Sequence, residues 1–559
     1  MKDFRKKSGW IYGLLCIISV SSFLMDGYAQ NASFTTGGID DFLRRSQLLG
    51  QANPLNSFTV RSVSKSLEGM DSLPGIPKAT HIKTNSPLAL TLLPFNIVQQ
   101  YNSDHPYGWN DGALIPARGI SMKTSAGIQA SFGRISIQIQ PEFVTSQNRS
   151  FQTFFSEQFD TTWSRYYLWL NKSDIPERFG NETYTKIFPG QSSIRYNLPD
   201  FSIGISTENL WWGPGTRNAL VMSNNAPGFL HGSINTRKPF QTSIGSFEGQ
   251  IIGGRLTGSN ILPPETNRVY TNGSAIIYKP KIDASRYVIG MVLSWQPKWV
   301  KGLFVGFAKA SYMYKGDMGV VDFLPLEGII KSTSEKNGKK ASLGSLFVRY
   351  VIPEEMTELY MEYGRSDKSP NLVNLVADND YPRAYVAGIR KLFPSKHNSL
   401  IEFSSEFTQM QLPKADLIRA AQSWYTHDYV RQGYTHNGQV LGAGIGPGSN
   451  SQMLSIAWVK GLKRVGLLVE RIVRNNDFYY NAFEESKDFR RHWTDLSTTA
   501  SADWPYKRFL LSARMSVIRS LNYQWWYIDY LPQISPTNYF KNGYDVLNFH
   551  ANLSFSYRL

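Results

Sequence analysis

The last eleven residues, FHANLSFSYRL (residues 549–559), put Phe549, Ala551, Leu553, Phe555, Tyr557 and Leu559 on one face of an extended strand, with His550, Asn552, Ser554, Ser556 and Arg558 on the other. Side chains of a strand point alternately to its two faces, so this period of two describes one apolar, aromatic-rich face and one polar face. A terminal strand of this kind is what a β-barrel of the outer membrane uses to close its sheet. Leu559 stands where such strands usually end in Phe. The reading that follows is an all-β chain, a transmembrane antiparallel β-barrel whose polar side lines the lumen.

The other end of the chain agrees. Lys2, Arg5, Lys6 and Lys7 precede an apolar run from Trp10 to about Met25, and Gly27-Tyr28-Ala29 supplies the small residues a signal peptidase reads. Residues 1–29 are therefore expected to be a cleaved signal peptide, with Gln30 the mature start. The one cysteine, Cys16, lies inside that run behind Leu15, which argues against a lipoprotein and leaves the mature chain without cysteine. A disulfide scaffold is excluded. No later segment approaches the roughly 18 to 20 apolar residues of a membrane helix, which excludes helical membrane proteins but leaves barrel strands of about ten residues. The formal charge is +16, and the leader holds four basic and two acidic residues, so +14 remains on the mature chain. That excess favours an anionic partner. An exported chain seldom meets nucleic acid, so acidic polysaccharide, lipopolysaccharide and outer-membrane lipid are the expected partners, and nucleic acid is not. An aromatic fraction of 14% fits girdles of Tyr, Trp and Phe at the two interfaces.

Residues 30–87 differ from the rest and read as a small periplasmic helical region. GIDDFLRRSQLLG (residues 38–50) offers an Asp cap, then Phe42, Leu43 and Leu49 on a face, with Gly50 as the stop. The barrel is expected over 88–559. Alternation is clearest at 120–132 and 135–143, and recurs at 401–407 and 509–517, with less tidy strands near 286–295, 303–314, 345–351, 358–364, 384–392, 452–459 and 465–474. The intervals 151–199, 211–246, 316–340, 411–450 and 475–504 read as loops that cap or enter the lumen.

Two loop blocks carry the chemistry, 206–255 and 424–450. In the first, Trp211, Trp212, Arg217, Asn224, Asn225, Arg237 and Lys238 fall around glycines and prolines; in the second, Trp424, Tyr425, His427, Tyr434 and His436 do. Flat indole and phenol faces stack on the C–H groups of pyranose rings, Asn side chains bond hydroxyls, and Arg or Lys pairs with uronates. The plainer reading is that the aromatics pack the loops into the lumen and the Asn pair caps turns. His427, Asp428 and His436 match no compact zinc spacing, so no metal or other cofactor is expected. Glu142, Glu208, Glu248, Glu402, Glu406 and Glu470 could supply the carboxylate pair of a glycosidase, yet none stands as an isolated pair in an apolar pocket. No G-x-S-x-G or phosphate loop occurs. Lumenal carboxylates paired with Arg195, Arg255, Arg471 or Arg514 are the expectation, and no catalytic residue is assigned.

GWNDGALIPARG (108–119), PEFV (141–144), DIPERFG (174–180), GQSSIR (190–195), STENLWWGPGTRNALVMSNNAPGF (206–229), GYTHNGQVLGAGIGPGSN (433–450) and Glu470-Arg471 resemble the Wzi capsule-assembly proteins. The resemblance runs from about residue 38 to the end, and the tryptophan-glycine block is its most specific piece. It implies a barrel of about eighteen strands, a periplasmic helical bundle, loops that occlude the extracellular mouth, and a lectin-like role in which capsular or related polysaccharide is held at the cell surface, with the polysaccharide export machinery as a further partner. The leading expectation is a non-enzymatic outer-membrane lectin. Its main rival is a porin or glycan-translocating channel, and a glycan-remodelling enzyme is the weaker third.

Overall fold

The computed structural model describes residues 38–62, 80–82, 87–263, 265–269, 278–319, 322, 338–367, 382–412, 422–483, 492–526 and 544–558. The expected signal peptide and Leu559 lie outside them.

Among these residues eighteen antiparallel strands close into one barrel. They run Leu88–Asn102 and Gly119–Phe132, then two strands each broken midway (Ile135–Ile139 with Glu142–Ser146, and Tyr184–Phe188 with Ser193–Asn197), then Phe201–Ser206 and His231–Thr236 continued by Phe240–Thr242. Longer strands follow at Gly245–Leu256, Arg286–Pro297, Leu303–Tyr314, Lys340–Ile352, Thr357–Asp367 and Arg383–Pro394. Leu400–Gln409, Asn450–Lys460, Lys463–Val473, Thr494–Tyr506, Phe509–Leu521 and Val546–Tyr557 complete the set. The last strand closes the ring as expected, with Ser556 opposite Leu510 on one side and Asn96 on the other. The break at Gln140-Pro141 has a simple cause. Proline has no N–H for the ladder, and the chain instead makes a lone bridge between Gln140 and Gly190, with Gln140 N–H donating to Ser192 Oγ at 2.9 Å.

Three expected loops need correction. Residues 151–199 hold the strands Tyr184–Phe188 and Ser193–Asn197, and 211–246 holds His231–Thr236 and Phe240–Thr242. Each piece is only three to six residues long, too short for its alternation to stand out. The interval 475–504 likewise includes the start of Thr494–Tyr506.

Burial is inverted relative to a water-soluble sandwich. On the last strand Phe549 and Leu553 are 41% and 42% exposed, whereas His550 and Ser556 are 6% and 2% exposed. The apolar face is the outside one, and lipid is the medium that makes such a surface stable. Among the described residues no helix is long and apolar enough to cross a membrane, so the strands do the crossing. Tight turns such as those at 133–134, 461–462 and 507–508 collect at one end of the barrel. An aromatic and basic rim marks that end: Phe509 lies 4.8 Å from Tyr557, and Lys463 Nζ lies 4.4 Å from the Trp504 ring centre. The long connections gather at the other end, where helices α2 (Asp160–Leu170) and α3 (Asn476–Ala482) pack with Phe154, Tyr278 and Trp525 into an aromatic cap.

The N-terminal helix α1 (Gly38–Leu48) forms where expected, and Gly50 ends it with φ of 68°. It enters the tight-turn mouth of the barrel. Ile39 and Phe42 pack on Leu93, Leu462 and Leu510, and Leu48 packs on Phe304, Val351 and Leu392. Residues 51–59 continue through turns and bends to the short strand Val60–Ser62, so the described part of the N-terminal region holds one helix where the resemblance implied a bundle.

Candidate functional site

The lumen is built around the segment 207–230. After the strand Phe201–Ser206 the chain turns inward, and Leu210–Trp212 pairs antiparallel with Val60–Ser62 of the N-terminal segment, Trp211 opposite Arg61. The Arg61 guanidinium lies 4.8 Å from the Trp211 ring centre and donates to the Gly215 carbonyl at 2.9 Å. Arg44 of α1 donates to the Pro214 carbonyl at 3.0 Å. Gly213 makes this turn possible. Its φ is 119°, and a Cβ there would sit 2.8 Å from the Glu362 carboxylate.

Wall carboxylates hold the segment. Glu406 accepts the backbone N–H groups of Thr216, Arg217 and Asn218 at 2.7 to 3.2 Å, together with the Tyr360 hydroxyl at 2.8 Å. A carboxylate that receives several N–H groups away from water replaces its hydration shell with fixed dipoles. Glu470 receives the Arg217 guanidinium through Nε at 3.3 Å and Nη2 at 2.8 Å. Glu208 pairs with Arg195 at 2.5 Å, Glu402 with Arg45 and Arg464 at 3.5 Å, Glu142 accepts from Gln191 at 3.2 Å, and Glu248 accepts the Ser57 N–H at 2.6 Å. Of the arginines expected to pair with lumenal carboxylates, Arg195 and Arg514 do so, the latter with Asp503 at 3.4 Å. Arg255 and Arg471 instead lie exposed.

Three loops meet in the lumen. Asn225 Nδ2 donates to the Val440 carbonyl and its Oδ1 accepts from Asn110 N–H, so 225, 440 and 110 are tied together. The Tyr425 hydroxyl donates to Leu220 O at 2.7 Å and accepts from Ala443 N–H at 2.8 Å. The interior they fill is divided, where a uniformly polar lumen was expected. Toward the strands between residues 245 and 394 the plug meets an apolar wall that includes Val288, Tyr312, Phe347 and Val386, and these join Trp212, Trp424 and Tyr434 in one core. Toward the strands between 450 and 557 the wall is Ser455, Thr499, Ser501, Ser512, Arg514, Asn552 and Ser554, and a chamber of about 420 Å³ remains. α1 contributes Asp40, Asp41 and Arg44 to its lining, and the loops contribute Tyr107, Trp109, Asp111, Trp211, Arg217 and Asn224.

The predicted binding residues therefore separate. Trp211, Arg217 and Asn224 line the chamber. Arg217 lies 4.1 Å from the Trp109 ring centre, and burial opposes its charge while Glu470 more than restores it, so it stays a cation. Trp212 is a packing residue: its Nε1 donates to Gln250 Oε1 at 2.9 Å, and its ring fills the space above Gly290, where a Cβ would come within 2.8 Å of it. Asn225, Trp424, Tyr425, His427, Tyr434 and His436 are all buried within the plug. Tyr425 stacks on Tyr434 at 6.0 Å, His427 Nδ1 accepts from Val430 N–H, and His436 Nδ1 accepts from Thr257 N–H. Burial pushes the His436 imidazole down to about 3, which keeps it neutral. Arg237 and Lys238 are not brought to this site. They sit at the tight-turn end, where Lys238 pairs with Asp200 at 3.1 Å and Arg237 donates to Leu198 O. Trp109 and Asp111 are chamber residues without a predicted role, although the aromatic-glycine composition of 108–119 marked the stretch. Arg61 and Arg464 gave no local signal, because only the closed barrel brings them together.

A closed eighteen-strand barrel with an apolar belt, a helix in one mouth and folded loops in the lumen defines an outer-membrane β-barrel of the plugged class. The chain belongs to the Wzi family of capsule assembly proteins: the family model described as Capsule assembly protein Wzi matches residues 102–525. Among solved structures it is similar in fold to Wzi of Escherichia coli, described as an outer-membrane protein involved in group 1 capsule assembly and a carbohydrate-binding β-barrel, with 12% identity, 94% of each chain covered and a TM-score of 0.54. OccK7 of Pseudomonas aeruginosa (10% identity, 83% of this chain and 98% of that one, TM-score 0.37) and OccAB2 of Acinetobacter baumannii (10%, 83% and 97%, 0.40) are too remote to carry an argument. No curated protein matches the chain.

Proposed function

We propose that this protein is a non-enzymatic lectin that holds acidic capsular polysaccharide at the cell surface. The observation that carries the reading is the plug. Loops 207–230 and 422–449 share a dry aromatic core with the barrel wall, an arrangement suited to a rigid platform rather than an open conduit. Family membership and the carbohydrate binding of the Escherichia coli barrel supply the ligand class. Trp211, Arg217 and Asn224, with Trp109 and Asn552, are the residues proposed to contact sugar that reaches the chamber, where planar amide and guanidinium groups face a volume suited to a short saccharide. The predicted residues buried in the plug act by holding it. Calorimetric titration of the purified barrel with acidic capsular polysaccharide is expected to show saturable binding that weakens about tenfold or more in Arg217→Ala. Absence of binding, together with full retention of capsule by cells lacking the protein, would overturn the reading.

A further inference from the structure

The outward face of the barrel carries a feature that plug and chamber leave unexplained. At the long-loop end, Arg471 on the strand Lys463–Val473 stands opposite Leu496 on Thr494–Tyr506, and Leu496 stands opposite Arg519 on Phe509–Leu521. The two arginines thus occupy one row on alternate strands, about 10 Å apart at the backbone given the usual strand spacing. Both are exposed, and the Arg519 side chain is 58% so. Leu496 lies between them and Leu547 flanks Arg519 on the next strand, opposite it in register. Below the row the outward column is apolar, with Val469, Leu467, Val517 and Met515 all exposed to the acyl region.

An arginine on the lipid face is costly at the bilayer centre and close to neutral near the interface, so this row marks the level of the headgroups. Two nearby groups modulate the pair: Arg471 Nη1 donates to Gln452 Oε1 at 2.8 Å, and Arg519 Nη2 lies 3.8 Å from an Asp545 oxygen. Guanidinium presents paired N–H donors that match phosphate oxygens. We infer that Arg471 and Arg519 form a docking surface for a phosphorylated glycolipid of the surrounding leaflet, with a phosphate at each guanidinium and the acyl chains lying on Leu496, Leu547 and the column beneath. The inference rests on the membrane placement of the barrel and is independent of polysaccharide binding.

The test uses full-length protein purified in mild detergent, and counts bound lipid by native mass spectrometry after incubation with lipopolysaccharide, with enzymatically dephosphorylated lipopolysaccharide, or with phosphatidylglycerol. Wild type is expected to retain the phosphorylated glycolipid, with at least tenfold less retained by Arg471→Glu/Arg519→Glu. Arg255→Glu, which reverses one exposed arginine on the distant strand Gly245–Leu256, controls for charge reversal away from the row and is expected to match wild type. Heat-modifiable migration confirms that each variant is folded. Equal retention by the double variant, equal retention of the dephosphorylated lipid, or a preference for phosphatidylglycerol would each overturn the assignment.

Discussion

Single carboxylates on the barrel wall organise the interior, and Glu406 is the clearest case. It receives three consecutive backbone N–H groups of the plug and the Tyr360 hydroxyl. Glu406→Gln keeps the shape but removes the charge and turns an N–H₂ toward donors. A loss of about 2 to 3 kcal/mol is expected from the strength of bonds to charged groups, read as a lowered Tm in detergent, and an unchanged Tm would argue that this nest does not anchor the plug. Gly290→Ala tests packing at the same scale. The new Cβ would lie 2.8 Å from Trp212 Cη2 and 3.0 Å from a backbone oxygen, so overpacking by about 1 to 3 kcal/mol is expected. Chemistry at this scale was only partly legible in the sequence. The tryptophan-asparagine-arginine block announced itself by composition, but composition does not separate Trp211, which lines the chamber, from Trp212, which packs the plug. Adjacent residues of an extended segment face opposite ways, and only the partner surfaces decide which side is dry.

Helix α1 and the residues after it act as one element. Asp41 receives Arg390 at 2.6 Å and also pairs with Arg45, while Arg44 joins Glu358 on the wall to Pro214 of the plug. Burial alone would raise the Asp41 pKa, but the Arg390, Arg45 and Arg464 guanidiniums hold it far below the ordinary carboxylate range. A carboxylate with a depressed folded pKa stabilises the docked helix above its free value of 3.8 and loses that contribution as pH falls below it. Protease protection of residues 38–62 is therefore expected to be flat from pH 8 to about 5 and to fall below about pH 4, whereas loss near pH 6 would point to a different group. Because Val60–Ser62 pairs with Leu210–Trp212, disrupting α1 should also loosen the plug. Arg44→Ala is expected to raise hydrogen exchange at Trp211–Gly215 as well as in the helix, and exchange confined to the helix would contradict the coupling. Several long strands were readable in place, among them Leu303–Tyr314, whose bounds match the expected 303–314, whereas Leu88–Asn102, Gly245–Leu256 and Thr494–Tyr506 escaped notice because apolar runs, glycines or small polar residues blur their alternation. The broken strands of the first third were not readable either, since three to six residues carry too few alternations. Nor did the sequence tell where α1 would dock, because its polar partners Pro214, Glu358 and Glu402 lie 170 to 357 residues away along the chain.

The whole molecule is a barrel with a divided lumen, dry against the strands between 245 and 394 and wet against those between 450 and 557. The fold class followed from periodicity and the closing strand. The division did not, because the inward positions of Leu303–Tyr314 read as ordinary strand residues until the plug covers them. Filling of the lumen distinguishes a surface platform from a channel. The most direct measurement is the conductance of the purified protein in a planar lipid bilayer. A plugged barrel predicts no large steady conductance in wild type, and its appearance when residues 210–222 are replaced by a short glycine-serine linker in a variant that still inserts. A large, stable open channel in the wild-type protein would contradict the account.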